Sequence, residues 1–343
     1  MWHVSSCCLV VLGRELTLGV ELMGSEIAAL VNPGQNTVAG NRTLRSQSKR
    51  IFYVPSSNPG RAYRLTLQGL CGHPDVVLVD SVADCDYVIC HYQAWDAALR
   101  FPGEKLIFVD FQDDPNHVYP VRCLAYFKRS WPRPSADGLE FALERFARPA
   151  YMYPTAYAVM DEFIVSEPVE RDIAVSCLLR PNQTKRAIIL DVLAGLDFAG
   201  LPVKIGAVND SGRNVFDPEY LDVLRRSRIV ITAGPDAWEG DSRLWEALSN
   251  GPLVLTDRLL TPMAEPLVDG KHLVFYDTEG IGSDRKRLQP MIDALTYYLS
   301  RPDEAELIGR AGQPHALTYH RTVNRVDSML RTVEQVADVG AQG

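Results

Sequence analysis

The sequence predicts an α/β protein made of two doubly wound Rossmann-like domains that face each other across a cleft. Three observations predict it. The chain has 343 residues, and domains of about 100–200 residues make two the expected number. Short, continuous apolar runs recur along it, as in strands buried on both faces of a parallel sheet. Stretches with helical spacing alternate with these runs in both halves, which is the pattern of a doubly wound sheet.

Residues 1–49 form a poorly defined segment. Leu9–Leu12 suits a strand and Leu18–Leu30 a helix, but Asn32–Lys49 is polar and rich in Gly, Asn, Arg and Ser. The first domain is expected at 50–167. Ile51–Val54 is its first strand, closed by the turn Pro55–Gly60, and Tyr63–Leu70 has helical spacing. Val76–Val79, Tyr87–Cys90, Leu106–Val109 and Leu124–Phe127 are further strands, ending at Asp80, His91, Asp110 and Lys128. Polar residues at such ends stand where an open α/β sheet meets its ligands. Residues 166–170 read as a linker.

The second domain is expected at 168–343. Its strands are Ile173–Leu179, Val203–Ile205, Ile229–Thr232, Leu253–Leu255 and Leu273–Tyr276. Helices fit Lys185–Leu193, Pro218–Arg226 and Ser242–Ser249, the last ended by the C-cap pair Asn250 and Gly251. Gln289–Leu299, Glu304–Arg310 and Pro314–Val336 read as closing helices.

Composition excludes several classes. Lys and Arg number 35 against 43 Asp and Glu, a net charge of −8, so nucleic acid is not the expected partner. There is no apolar run long enough to span a bilayer. Seven cysteines carry no CxxC or zinc spacing, which suits a reduced, cytoplasmic setting. The apolar run Cys7–Leu12 lacks a basic flank and is too short for a signal peptide. P-loop, nucleophile-elbow and dinucleotide fingerprints are absent, which removes support from kinase, hydrolase and simple dehydrogenase readings.

The most informative stretch is 234–251. A strand runs into a loop, and the loop opens a helix that Asp241 or Ser242 can cap. The free N–H groups of such a helix start suit phosphate. Arg243 stands in the first turn, where the helix dipole disfavours a cation, and a bound anion would explain it. Glu246 lies three residues on, so both side chains can reach one cleft, or pair in solvent. Arginine suits diphosphate oxygens, and a carboxylate suits a ribose diol.

Asp241, Ser242, Arg243, Glu246, Ala247 and Gly251, followed by the apolar Leu253–Leu255, resemble the nucleotide-sugar site of GT-B glycosyltransferases, particularly the exostosin-like and group 1-like families. Tyr220 to Val230, Leu267 to Val274 and Tyr319 to Arg325 resemble the flanking elements in order, so the resemblance covers about residues 170–335. It implies a sugar transferred from a nucleoside-diphosphate sugar to a glycan, a lipid-linked glycan or another hydroxyl acceptor, with peripheral membrane contact compatible with such substrates. Arg180, Lys185 and Arg243 are then expected to meet the diphosphate and Glu246 the ribose, with Glu239, Asp241 and Ser242 completing the donor site. Retaining members carry a Glu-x7-Glu pair; Glu239 and Glu246 are separated by six residues, which favours an inverting mechanism. No metal or cofactor is expected, since a pair of cations can stabilise the leaving diphosphate.

Inversion needs a base that deprotonates the acceptor hydroxyl. By the same analogy it projects from the first half, where Asp80, His91, Asp110, Asp113 and Asp114 stand at strand ends; Asp113, His91 and Asp110 lead. Lys128 and Arg129 are expected to pair with those carboxylates. Asp84 and Asp86 form a DxD triplet, but it precedes a strand, so a lead-in is expected and a metal site is not. The rival readings are a GT-B-shaped binding protein without turnover and a sugar-nucleotide epimerase.

Overall fold

A computed structural model describes residues 48–57, 59–115, 117–131, 152–165, 167–181, 184–207, 216–235, 240–277 and 285–341. The first sheet contains β1 (Lys49–Tyr53), β2 (Val76–Leu78), β3 (Tyr87–His91), β4 (Leu106–Asp110), β5 (Ala125–Lys128) and β6 (Met152–Pro154), ordered β2-β1-β3-β4-β5-β6. The second contains β7 (Ile173–Leu179), β8 (Val203–Ala207), β9 (Ser227–Ile231), β10 (Leu253–Asp257) and β11 (Val274–Tyr276), ordered β11-β10-β9-β7-β8. Every strand pair is parallel. Parallel neighbours require crossovers, and these carry most of the helices: α1 (Arg61–Gly72), the short α2 (Trp95–Ala98), α3 (Thr184–Ala194), α4 (Pro218–Arg226) and α5 (Ser242–Leu248). Among the described residues no helix is long and apolar enough to cross a membrane.

The apolar runs are strands because they are buried on both faces. Leu106, Ile107, Phe108 and Val109 are all 0% exposed, and so are Leu253, Val254 and Leu255. Alternate residues feed different cores: Ile107 and Val109 join α1, while Leu106 and Phe108 join the core on the opposite face. β6 has only three residues at the sheet edge, too few for a periodicity to show.

Two findings differ from the sequence reading at the end of the chain. The expected break before Pro314 is absent: α6 (Gln289–Leu299) is followed by α7 (Pro302–Tyr319), which runs through Pro314, and then by α8 (Thr322–Ala341). The break falls at His320, whose carbonyl accepts from Val159 N at 2.8 Å, while Thr322 N donates to Val159 O. Tertiary bonds therefore outweigh the local signal of the proline. Tight packing also fixes α7 in place, since a Cβ on Gly309 or Gly312 would collide with the carbonyl oxygen of Gly251 or His272.

The second difference concerns α8, expected with the second half. Its Val326, Met329, Leu330 and Val333 are buried in the core of the first domain, against α1. Amphipathic spacing marks a buried face but not the partner that buries it. The DxD triplet is a strand lead-in as expected: Asp86 accepts from Arg50 N at 2.8 Å and from its guanidinium.

Candidate functional site

The C-terminal ends of the two sheets face one another, and α5 opens at their meeting point. Asp241 is its N-cap, with Oδ1 accepting from Leu244 N at 3.2 Å. Its Oδ2 accepts from Arg186 at 2.8 Å and from Arg243 at 3.1 Å. Burial works against the Asp241 anion, but the two guanidinium groups prevail and hold its carboxyl below the usual range. Asp241 thus explains the cation in the first turn without a bound anion. Ser242 is the first helical residue, and Glu246 follows one turn later, 3% exposed.

Residues 233–235, after β9, are held by two adjacent cations and a carboxylate. Lys185 Nζ donates to Asp257 Oδ2 at 2.5 Å and to Pro235 O at 2.7 Å. Arg186 donates twice to Ala233 O, at 2.8 and 3.0 Å. Asp257 Oδ1 accepts from Gly234 N at 2.8 Å. Lys185, expected on the diphosphate, is therefore turned to a buried carboxylate and frames this segment. Arg186 was not anticipated; the Lys-Arg pair at the start of α3 was its only signal. Arg180 is half-buried at the end of β7. Glu239 lies outside the described residues.

Two arginines of the first domain bridge the cleft. Arg61, first residue of α1, donates to Ser242 Oγ at 2.7 Å and pairs with Glu246 Oε1. Glu246 Oε2 accepts from the Tyr220 hydroxyl at 2.9 Å. Arg129 lies over the Tyr157 ring and donates to Gly240 O at 2.9 Å, to Phe111 O and to Asp113. Thr261 of the second domain donates back to Arg129 O at 3.1 Å. Sequence reasoning missed Arg61 and Tyr220 as partners of Glu246.

The candidate bases occupy three different environments. Asp110 is fully buried at the end of β4 and accepts from Gln112 N at 2.9 Å, Tyr126 Oη at 2.7 Å and Lys128 Nζ at 3.0 Å. His91 is fully buried at the end of β3, stacked on Phe111 with Tyr92 and Tyr63 around it. Neither of its ring nitrogens has a hydrogen-bond partner among the described residues, and burial drives its pKa down to about 3. Asp113 is different, with 39% of its side chain exposed beside Arg129. Asp80 is exposed and Asp114 half-buried. The expected pairing of Lys128 and Arg129 with carboxylates is present, to Asp110 and Asp113.

Residues 186–331 match the model of a family described as glycosyl transferase-like. No curated protein matches the sequence. Among solved structures, Anabaena HepE in complex with UDP-glucose is similar over 86% of this chain and 100% of its own, at 12% identity and TM-score 0.53. A glycosyltransferase from Rickettsia africae is similar over 85% and 99%, at 12% identity and TM-score 0.55. An alpha-glucosyltransferase in complex with UDP and DNA is similar over 84% and 100%, at 9% identity and TM-score 0.54. Identities this low speak for the fold, and the matched family speaks for the C-terminal domain. With its two facing parallel sheets the chain has the GT-B fold, and residues 186–331 carry a glycosyl transferase-like domain.

Proposed function

We propose that the protein transfers a sugar from a nucleoside-diphosphate sugar to a hydroxyl of a glycan or lipid-linked glycan, with inversion and without a metal. The observation that carries this reading is the Glu246 cluster. One carboxylate stands at the cleft, inside the matched domain, with Ser242, Arg243, Tyr220 and Arg61 around it. Glu246 is the acceptor for the ribose diol. Arg243 and Arg180 take diphosphate charge, while Asp241, Lys185 and Arg186 hold the loop that presents it. UDP or UDP-glucose in two of the similar structures makes uracil the first base to test.

Asp113 is the base in this reading, because an acceptor can reach it. The acceptor oxygen attacks the anomeric carbon as its proton passes to the Asp113 carboxylate. The bond from the anomeric carbon to the diphosphate oxygen breaks, and the nucleoside diphosphate leaves with its charge on the arginines. Asp110 frames Lys128, and His91 fills the aromatic floor beneath. A lipid-linked acceptor would bring the protein to a membrane surface.

The test is a thermal-shift screen against UDP, GDP, ADP, CMP and their sugar conjugates, with and without EDTA. A shift for one base, indifferent to EDTA and lost in Glu246→Gln, supports the donor site. Turnover with acceptor, followed by NMR of the product anomer, then separates inversion from retention. It also separates transfer from binding without turnover. Indifference to every nucleotide sinks the donor reading.

A further inference from the structure

Both oxygens of Glu246 are engaged by this chain. Arg61 holds Oε1 and the Tyr220 hydroxyl holds Oε2, and only 4% of the Glu246 side chain is exposed. Each oxygen keeps a further lone pair, but Arg61 and Tyr220 close off the buried carboxylate, so a ribose diol reaches it only when one partner leaves. Tyr220 belongs to α4 of the same domain as Glu246. Arg61 comes from the opposite domain, on a long side chain that is 20% exposed. Its other contacts are Ser242 Oγ at 2.7 Å and the Phe163 ring at 6.0 Å. Arg61 is thus the partner that domain opening removes.

Charge decides where it goes. Arg61 and Arg243 act on the same carboxylate, and each feels the other or its anion: Glu246 holds the Arg61 guanidinium more firmly protonated, while Arg243 works against it. Arg243 has Asp241 besides; the one carboxylate that Arg61 pairs with is Glu246 among the described contacts. If a neutral ribose displaces Arg61, a nucleoside leaves that guanidinium uncompensated at the cleft. A nucleoside diphosphate brings its own anion to the same place, and Arg forks suit phosphate oxygens.

We propose that donor binding is an exchange on Glu246: the ribose displaces Arg61, and the released Arg61 takes the diphosphate from the opposite domain. The exchange rests on the reading of Glu246 as the ribose acceptor. It makes Arg61 both the latch of the empty cleft and the residue that prefers a diphosphate over a bare nucleoside. A latch lowers apparent affinity by the fraction of time it is shut.

The experiment measures uridine and UDP binding to the wild-type chain, Arg61→Met and Arg61→Lys by NMR and calorimetry. If the screen selects another base, its nucleoside and diphosphate replace them. Arg61→Met keeps the apolar stem and loses the charge. It is expected to bind uridine more tightly and UDP more weakly, so that the preference for UDP falls at least about tenfold; Arg61→Lys retains most of it. Small-angle scattering should show a more open ligand-free particle for Arg61→Met. Equal weakening of both ligands, or an unchanged preference for UDP, overturns the exchange. If uridine stays below detection in every variant, unchanged UDP affinity in Arg61→Met overturns it too. Wild-type discrimination against 2′-deoxy-UDP reports the ribose reading separately. Its absence sinks that reading whatever Arg61 does.

Discussion

Asp110→Asn separates a framing carboxylate from a catalytic one. The substitution keeps the shape of the side chain and removes its charge. In the native protein Asp110 Oδ2 accepts from Lys128 Nζ at 3.0 Å and Tyr126 Oη at 2.7 Å, and both ionic side chains are 0% exposed. The variant leaves the Lys128 ammonium buried without its counter-charge, with only neutral acceptors such as His117 O at 2.8 Å. Removing one partner of a buried pair costs about 3–5 kcal/mol. At roughly 2–4 °C per kcal/mol for a unit of this size, the first domain should melt about 6–20 °C lower. Removing both charges in Asp110→Asn/Lys128→Met should recover most of the loss, because a buried pair replaced by apolar groups is often neutral. Urea and thermal unfolding of the three proteins measure this, with kcat taken well below the lowest midpoint. Native-like stability of Asp110→Asn together with lost turnover would refute the reasoning and return Asp110 to the chemistry. Failure of the double variant to recover would refute the pairwise account.

Other outcomes are expected from the same site. Asp113→Asn should lower kcat about 10²–10⁴-fold with little change in donor KM, read from initial rates at saturating acceptor. Glu246→Gln should raise donor Kd about 10–100-fold, the scale of a hydrogen bond to a charged group, and Tyr220→Phe by less; calorimetry checks both. Turnover should be unchanged by EDTA. Burial holds His91 and His320 down to about 3, the latter with Arg325 adding to the effect. Their folded values lie below the unfolded value, so the neutral forms stabilise fully above about pH 6.5 and lose that contribution as pH falls towards 3. Between pH 6.5 and 5 each should cost about 2 kcal/mol. The urea midpoint should fall over that range, and His91→Phe should reduce the slope by about one proton.

Much of the fold is legible because parallel strands announce themselves. Leu106–Val109 and Leu253–Leu255 are continuous apolar runs for the same reason that they are buried on both faces. The helix start at Asp241 and Ser242 is legible too, since capping chemistry is local. What a sequence does not reveal is which charge meets which. Lys185 reads as a ligand of an external anion, yet the anion it meets is Asp257, and Arg243 already shares Asp241 with Arg186. Asp257 lies 72 residues from Lys185, a partnership set by packing of β10 against its neighbours. Arg61 stands 185 residues from Glu246 and follows an unremarkable turn. No local pattern distinguishes it from other arginines of the first domain. His91 reads as a convenient base by its free pKa, but burial changes that chemistry.

The return of α8 to the first domain has a consequence for how the protein is made. The last strand of the first sheet ends at Pro154, while the core beneath it is completed by Val326, Met329, Leu330 and Val333. Chains emerge at about 5–20 residues per second. The nascent first sheet therefore waits roughly 10–35 s, on that rate, with the α1 face that α8 covers still bare. The second domain has no such delay, since its sheet and α6 and α7 are contiguous. Although it is translated later, it can close first. The earlier half then finishes against a neighbour that is already folded, and any mutation that slows α8 prolongs the exposure of apolar surface to chaperones and to other chains.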